Sequence, residues 1–226
     1  MDQSPLKLAV LVSGGGTTLQ NLIDSIAAGQ LDARINLVIG SKPGLAGLQR
    51  AADAKLMSFV VERQPAESVG DFSKKVFSLC NDAGVDLVCL GGWLCLLELP
   101  EKYLGRVINI HPALLPSFGG KGMFGKTVHR AVLDHGCKIS GCTVHFADNS
   151  YDNGPIILQR VCPVLEEDSP ADLAHRVFEE EKIAYPEAIR LFQHRRLKIE
   201  GRRVRILPAP PANSSALPSP PAISPA

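Results

Sequence analysis

The chain has 226 residues, of which 45% are hydrophobic, so it can bury the core of one large domain or of two small ones. Its formal net charge is +1, whereas a general nucleic-acid or anionic-membrane surface usually carries a basic excess. No apolar run approaches the roughly 20 residues that a membrane-spanning helix requires. We therefore expect no nucleic-acid partner and no membrane partner.

The first half of the chain alternates short apolar runs with segments in which apolar residues recur at helical spacing. Helices are predicted after the first, second and third strands, with Gly29 and Gly84 as end signals. Strands that alternate with helices indicate an α/β fold with a mostly parallel twisted sheet of Rossmann-like type. The apolar runs that predict strands lie at residues 6–12, 35–39, 58–61, 85–90 and 107–110.

The second half of the chain has a different pattern. Residues 112–125 are rich in Gly and Pro and predict a long loop, and a short helix is predicted over 127–135. Residues 142–146 and 155–164 read as two strands around a polar turn, which adds a β-hairpin to the sheet.

A last helix is predicted from Pro170, preceded by the good N-cap residue Ser169. Pro186 lies inside this helix and should kink or split it. Residues 197–206 fit a small hairpin that turns at Gly201. Residues 207–226 consist mainly of Pro, Ala and Ser and carry no charge, which predicts a disordered tail.

The cysteines and the start of the chain indicate the compartment. Residues 1–7 are polar and lead directly into a strand, which is not the pattern of a secretory leader. The cysteines form no C-x-x-C pair, so we expect free thiols, no metal site and a cytoplasmic location. The six are Cys80, Cys89, Cys95, Cys137, Cys142 and Cys162.

A glycine-rich loop connects the first predicted strand to the first predicted helix. At the carboxyl edge of a parallel sheet, glycines let the backbone approach a ligand, and a helix N-terminus attracts anions. The loop is therefore a candidate phosphate site, and a tight turn that only closes the strand is the alternative. The third glycine and the strand-end acid of a dinucleotide site are missing, so we expect no NAD. The loop residues concerned are Gly14, Gly15, Gly16, Thr17 and Thr18.

Two polar side chains mark the end of the fifth predicted strand. Asn109 and His111 are two residues apart, so strand alternation directs both to the same side. We expect them at the edge that also carries the glycine loop, where an amide and an imidazolium suit the oxyanion of acyl transfer. A strand-end histidine that is satisfied by the backbone is the alternative. Asp152, in the hairpin turn, would raise the pKa of His111 and favour its charged form if it lies nearby.

Three segments, taken together, resemble the folate-dependent formyltransferases. They are residues 8–16, the Asn-x-His-Pro-x-Leu-Leu-Pro run over 109–116, and the stretch from Thr-Val-His-Phe to Asp-Asn-Gly-Pro over 143–155. The resemblance covers roughly residues 6–206 in order. The glycine loop and the compact length narrow it to the branch that acts on glycinamide ribonucleotide.

The resemblance implies a transferase of purine (IMP) biosynthesis and one-carbon metabolism. 10-Formyltetrahydrofolate, as co-substrate, would donate its formyl group to the glycinamide amine of 5'-phosphoribosylglycinamide. No metal and no nicotinamide cofactor would take part, and both partners of the reaction would be small molecules. The chain would act as a monomer or homodimer, with residues 1–206 as a single formyltransferase domain. Its nucleotide-binding half would cover about 1–105, and its catalytic and folate half about 106–206.

The resemblance also implies roles for individual residues. Asn109 would hold the formyl oxygen, His111 would stabilise or protonate the tetrahedral oxyanion, and Asp152 would keep His111 charged and help move the amine proton. The glycine loop would hold the ribose phosphate. The ribonucleotide would be met by Phe178, Glu179, Glu180 and Glu181, the last of them binding ribose hydroxyls. The folate pocket would be lined by Leu94, Cys95, Leu96, Leu97 and Asn109, and closed by Asp148, Asn149, Ser150, Tyr151 and Asp152.

Two other functions stay open at this point. The chain could transfer a formyl group to a different amine acceptor. It could also bind a nucleotide or a folate without turning it over, as a regulatory module.

Overall fold

The computed structural model describes residues 4–209, and the chain divides after Asn109 into two compact units. The last two residues of the fifth strand therefore belong to the second unit. In chain order, the elements up to this strand are β1 (Leu6–Val12), α1 (Thr17–Ala27), β2 (Ala33–Gly40), α2 (Ala46–Asp53), β3 (Ser58–Val60), α3 (Val69–Asp82), β4 (Leu87–Leu90), a 3-10 turn (Glu101–Tyr103) and β5 (Val107–His111).

The first unit is built around a parallel sheet. Its strands are hydrogen-bonded in the order β3-β2-β1-β4-β5, and every neighbouring pair runs parallel. β1 and β4 are central strands. β4 is apolar and buried along its whole length, and β1 is apolar and buried from Leu8 to Val12, because neighbours cover both faces. The predicted α/β fold with a mostly parallel sheet is confirmed.

The order of the strands places three chain segments side by side. Leu11 of β1 pairs with Leu90 of β4, and Leu90 pairs with Asn109 of β5. Because the strands are parallel, the segments that follow β1 and β4 leave the sheet at the same edge. The glycine loop, the segment after β4 and Asn109 are thus neighbours along the carboxyl edge of this unit, as the sequence predicted.

The second unit contains a helix and two hairpins around the longest helix of the described residues. The predicted hairpin around the polar turn is confirmed, since β6 and β7 pair antiparallel. β8 and β9 form the smaller hairpin, whose turn contains Gly201 at φ +59°, as predicted, and β9 adds to β7 through one parallel pair. The elements are α4 (Lys126–Asp134), β6 (Ile139–Phe146), β7 (Ile156–Pro163), α5 (Pro170–Gln193), β8 (Leu197–Glu200) and β9 (Arg203–Ile206).

Helix α5 begins at Pro170, as the sequence predicted, and it continues past Pro186. Ser169 accepts a hydrogen bond from the Asp172 N–H, and the Asp172 side chain accepts from the Ser169 N–H, which is a capping box. The helix runs unbroken through Pro186, so of the two predicted alternatives, a kink or a split, the split is wrong. A proline removes one N–H donor, and the buried packing of α5 on β6 and β7 compensates for that loss.

The remaining predictions concern the loop, the thiols and the tail. Residues 112–125 contain no helix or strand, as predicted, and all six cysteines are free thiols. Among the described residues, no helix is both long enough and apolar enough to span a membrane. Residues 207–209 have no regular structure, and the rest of the predicted tail lies outside the described residues.

Candidate active site

The glycine loop presents an open backbone surface in front of α1. Gly14 and Gly15 are exposed, and a Cβ atom placed on either would have no neighbour within 4 Å. Gly16 is the N-cap of α1, at φ +70°, and no side chain caps this end of the helix. A loop with this exposed surface, beside an uncapped helix N-terminus, has the features of an anion site.

The loop is held from behind by α2, a contact that sequence reasoning missed. The Gly47 N–H donates to the Gly14 carbonyl at 3.1 Å, and the Arg50 Nε donates to the Gly15 carbonyl at 2.8 Å. A Cβ atom on Gly16 would lie 2.5 Å from the Gly47 Cα atom, so the loop and α2 approach too closely for any side chain there. Arg50 also places a positive charge beside the loop.

The two threonines of the loop differ in their surroundings. Thr17 is exposed at the start of α1, whereas Thr18 is buried and packs on the glycine that follows β4. A Cβ atom on Gly91 would lie 3.3 Å from the Thr18 Cβ atom. Thr18 therefore fixes the helix against the sheet edge, and Thr17 is the one that faces solvent.

The segment after β4 carries the four residues predicted to line a folate pocket. Its backbone is tied to the glycine loop, because the Leu94 N–H donates to the Ser13 Oγ atom at 3.0 Å. Leu94 is exposed, Cys95 and Leu96 are half-buried, and Leu97 is buried in the core. Burial raises the pKa of the Cys95 thiol, so this residue acts as a neutral, mainly apolar side chain.

The second unit contains a buried cluster, here called the histidine–aspartate cluster, formed by His111, His145 and Asp152. The His111 Nδ1 atom lies 3.4 Å from the Asp152 Oδ2 atom, and the two side chains are only 4% and 12% exposed. The other ring nitrogen of His111, Nε2, donates to the Phe118 carbonyl at 2.8 Å. The predicted proximity of Asp152 to His111 is therefore present in the fold.

His145 is the member of this cluster that sequence reasoning did not assign a role. Its Nε2 atom lies 3.8 Å from the Asp152 Oδ1 atom, and its Nδ1 donates to the Phe146 carbonyl at 2.8 Å. The side chain is buried at the end of β6, next to a register shift between Val144 and His145. A signal was available, because His145 is a polar residue in an apolar strand that runs into the turn containing Asp152.

Burial and the Asp152 carboxylate act in opposite directions on the pKa of His111. Burial lowers the pKa of His111, and this effect exceeds the opposing influence of the Asp152 carboxylate and the Phe118 carbonyl. The Asp152 carboxylate thus acts on the pKa of His111 in the predicted direction, but its effect is smaller than that of burial. That Asp152 keeps His111 charged during the reaction stays a prediction. Sequence reasoning included the carboxylate but could not include the desolvation of a side chain packed on all sides.

Asp152 is the charged member of the cluster. Burial pushes its pKa upward, but the nearby rings of His145 and His111 and the Gly120 N–H together outweigh burial and lower it. The Gly120 N–H donates to the Asp152 Oδ2 atom at 3.0 Å. The loop over 112–125 thus contacts two of the three cluster residues, through the Phe118 carbonyl on His111 and through the Gly120 N–H on Asp152.

The β6–β7 loop, residues 147–155, positions Asp152 in an unusual backbone conformation. Asp152 lies at φ +51°, in the left-handed region. Asp148 organises the loop, because its carboxylate accepts from the Ser150 N–H at 2.9 Å and from the Asn153 side chain at 3.0 Å. Asn149, Ser150 and Tyr151 are exposed, so of the five residues predicted to close a folate pocket, three present their side chains to solvent.

The four residues predicted to meet the ribonucleotide lie in the middle of α5. Glu179 pairs with Lys182, and Glu180 pairs with Arg160 at 2.7 Å, while Phe178 is half-buried beside the Lys182 ammonium. Glu181 has no hydrogen-bond or ion-pair partner among the described residues, and burial raises its pKa to about 7. Only Glu181 therefore has a carboxyl group that is ready to accept a new partner.

Comparisons with known proteins define the class. A family model described as formyl transferase matches residues 6–189, which include the glycine loop, the histidine–aspartate cluster and most of α5. The chain therefore belongs to the formyl transferase family. Among described residues, no group of three His, Cys, Asp or Glu side chains is arranged to hold a metal ion.

Individual relatives narrow the similarity. The chain is 36% identical to the chloroplastic phosphoribosylglycinamide formyltransferase of Arabidopsis thaliana. The alignment covers 85% of this chain and 67% of that relative. The chain is also 38% identical to the trifunctional purine biosynthetic protein adenosine-3 of Drosophila melanogaster. That alignment covers 84% of this chain but only 14% of the relative, so the chain spans a small part of it.

Solved structures agree with these relatives. Glycinamide ribonucleotide transformylase 1 from Symbiobacterium toebii has a TM-score of 0.84 and 42% identity, over 92% of this chain and 96% of that one. A formyltetrahydrofolate deformylase from Pseudomonas syringae has a TM-score of 0.81 over 92% of this chain and 67% of that one. At 23% identity, this second likeness concerns the fold alone.

Proposed function

We propose that this chain transfers the formyl group of 10-formyltetrahydrofolate to the amine of 5'-phosphoribosylglycinamide, as a folate-dependent formyltransferase of purine biosynthesis. The observation that carries the proposal is the buried His111–Asp152 contact, in a chain that belongs to the formyl transferase family. The names of the Arabidopsis and Symbiobacterium relatives support the choice of acceptor.

In the proposed reaction, the amine nitrogen attacks the formyl carbon and forms a new C–N bond. The formyl oxygen then carries negative charge, which Asn109 and the His111 N–H stabilise by hydrogen bonds. Asp152 accepts the proton that the amine nitrogen loses and passes it to the folate nitrogen as the bond between that nitrogen and the formyl carbon breaks, so Asp152 is a carboxylate again at the end. The products are the formylated amine and tetrahydrofolate, so atoms and charge balance.

The hydrogen bonds of His111 fit this role. Its Nε2–H donates to the Phe118 carbonyl, so this hydrogen is available once the carbonyl is exchanged for a substrate oxygen. A neutral ring that donates to a developing oxyanion becomes more basic as the charge grows, and the charged Asp152 beside Nδ1 favours that change. Donation by His111 is therefore strongest in the transition state.

Substrate binding is proposed for the residues that the family resemblance assigns to the ribonucleotide and to the folate. The backbone of Gly14, Gly15 and Gly16, with Thr17, would bind the ribose phosphate, and Thr18 would hold the helix in place. The free carboxyl group of Glu181 would accept the ribose hydroxyls, with Phe178, Glu179 and Glu180 shaping its surroundings. The folate would be contacted by Leu94, Cys95, Leu96, Leu97 and Asn109, and by Asp148, Asn149, Ser150, Tyr151 and Asp152.

Variants of the cluster test the proposal. We expect His111→Ala and Asp152→Ala to lower kcat by about 10² to 10⁴, the range for loss of a group that moves a proton or stabilises an oxyanion. Tetrahydrofolate formation by the purified full chain is the readout, and circular dichroism verifies the fold. His194→Ala, an exposed histidine at the end of α5, is the matched control. Full activity of both cluster variants would contradict the proposal.

The remaining proposals concern the domain organisation, the oligomeric state and the cellular compartment of the protein. We propose a single domain made of both units, which is supported by a family match that spans both of them. We also propose a cytoplasmic monomer or homodimer that uses only small-molecule substrates, although some plant relatives are named as chloroplastic. Native mass spectrometry gives the oligomeric state, and fractionation of the source cells gives the compartment.

A further inference from the structure

Asp152 occupies a backbone conformation that needs support from its neighbours. A non-glycine residue at φ +51° lies in the left-handed region, which aspartate tolerates better than most residues but which still costs free energy. Asp152 must also keep its carboxylate beside both His111 and His145. Contacts on the β6–β7 loop therefore decide whether the carboxylate stays in place.

Some of these contacts lie within the loop itself. The Asp148 carboxylate links the backbone of Ser150 to the side chain of Asn153, and so joins the residues on either side of Asp152. Both Asp148 bonds are internal to the loop, so the loop could still move as a whole relative to β7. Outside the loop, the Gly120 N–H holds the Asp152 carboxylate, and a further contact holds the backbone that follows Asp152.

The β8–β9 hairpin supplies this contact. The Arg202 Nη2 atom donates to the Asn153 carbonyl at 3.0 Å, across 49 residues of sequence. Ile156, which lies three residues after Asn153 and begins β7, pairs with Arg203 of β9. The hairpin turn therefore lies beside the end of the loop. Arg202 thus forms a hydrogen bond with the backbone of the residue that directly follows Asp152.

The hairpin is a stable support. β8 and β9 are paired along their full length, from Leu197 with Ile206 to Glu200 with Arg203. The Arg196 side chain donates to the Leu207 carbonyl at 2.7 Å and fixes the open end of the hairpin. The hairpin also lies beyond residue 189, where the match to the formyl transferase family model ends.

We propose that Arg202 is a positioning residue for formyl transfer, which holds Asp152 beside His111 by binding the Asn153 carbonyl. The expected effect on kcat rests on the proposed function, whereas the effect on the position of Asp152 beside His111 does not. Arg202 touches neither the cluster nor a reacting atom, and acts only through the loop backbone.

Three variants separate positioning from a general effect of charge or folding. Arg202→Met removes the hydrogen-bond donor but keeps a long side chain, and Arg202→Lys restores a single donor. Arg205→Met is the matched control, because it removes the same charge from the same hairpin, where Arg205 pairs with Glu200 and not with the loop. All three are made in the full chain, and their melting temperatures are compared.

The kinetic readout is kcat and KM for both substrates. We expect Arg202→Met to lower kcat about two- to tenfold, the range for losing one hydrogen bond, with KM for phosphoribosylglycinamide unchanged. Arg202→Lys should recover most of the loss, and Arg205→Met should match the wild type. Equal kcat values for Arg202→Met and Arg205→Met would overturn the inference.

A second readout does not depend on turnover. The His111 ring faces the Asp152 carboxylate, the Phe118 carbonyl and His145, and it interacts electrostatically with His129. Of these groups, Asp152 lies in the loop that Arg202 contacts. Because Asp152 raises the pKa of His111, we expect a lower His111 pKa in Arg202→Met than in Arg205→Met, measured by NMR titration. An identical titration in both variants would also overturn the inference. A wild-type chain without activity would contradict the proposed function, and the titration would still decide the role of Arg202.

Discussion

At the scale of single residues, the chemistry depends on a balance between burial and charge at His111. The ring is almost fully buried, which disfavours the imidazolium, while the Asp152 carboxylate 3.4 Å away favours it. Of the two effects, burial is the larger, so the pKa of His111 lies below its ordinary value. Negative charge that develops near the ring favours the imidazolium.

This balance can be measured directly. Asp152→Asn removes the carboxylate that raises the pKa of His111, so the pKa should fall further below its usual value of 6.5. NMR titration of the His111 ring provides the measurement. Glu166→Gln, which changes an exposed carboxylate paired with Lys138, serves as the control and should leave His111 unchanged. A His111 pKa that rises in Asp152→Asn would contradict the assigned balance.

Glu181 predicts a pH dependence of stability. Its pKa is raised from 4.5 to about 7 in the folded protein, so between these values the folded state holds a proton that the unfolded state has released. The free energy of unfolding contributed by this group therefore falls as pH rises from about 4.5 to 7. Glu181→Gln removes the effect, and it should be more stable than the wild type by about 1–3 kcal/mol at pH 8 but not at pH 4.

Urea denaturation of both proteins across this pH range is the measurement. Glu166→Gln gives the opposite control, because Lys138 lowers the pKa of that carboxyl group, so the substitution should be unfavourable at neutral pH. A stability difference between wild type and Glu181→Gln that does not change with pH would contradict the raised pKa of Glu181.

At the scale of elements, the decisive unit is the glycine loop together with the two helices that follow it. Gly16 has a positive φ angle and no room for a Cβ atom, because α2 lies directly behind it. Gly15 is exposed and has open space around it. The two adjacent glycines therefore have different roles: Gly16 is required for folding, and Gly15 leaves the loop backbone accessible to a ligand.

Alanine substitutions separate these reasons. Gly16→Ala should destabilise the protein by about 1–3 kcal/mol, because alanine is strained at this φ angle and its methyl group meets the Gly47 backbone. Gly15→Ala should leave the melting temperature nearly unchanged but raise KM for phosphoribosylglycinamide, since the methyl group occupies the surface proposed for the phosphate. Thermal denaturation and steady-state kinetics measure both. Unchanged KM in Gly15→Ala would count against the phosphate site.

The elements also show where sequence patterns are reliable. Ser169 and Pro170 located the start of α5, and the apolar runs located all five strands of the first unit, because local sequence alone decides these features. Pro186 was misjudged in part, because the packing of α5 on β6 and β7 outweighs one missing hydrogen bond. The bracing of the glycine loop by Arg50 depends on a contact 35 residues away, and spacing contains no signal for it.

At the scale of the whole molecule, the sequence allowed more of the fold than of the site's electrostatics to be predicted. The parallel sheet follows from alternating strands and helices, and the proximity of Asp152 to His111 was expected only through the family resemblance. The charge of His111 and the raised pKa of Glu181 depend on how deeply each side chain is buried, which only the folded chain determines. His145 was missed because its role depends on the loop that returns Asp152 to it.

The fate of the formyl group tests the central claim most directly. The full chain is incubated with phosphoribosylglycinamide and 10-formyltetrahydrofolate that carries ¹³C in its formyl group, and the label is followed by NMR. We predict that the label enters the amide of the glycinamide product, with one tetrahydrofolate released for each amide formed. Label that appears as formate, or that stays on the folate while the His111–Asp152 cluster is intact, would contradict formyl transfer to this amine.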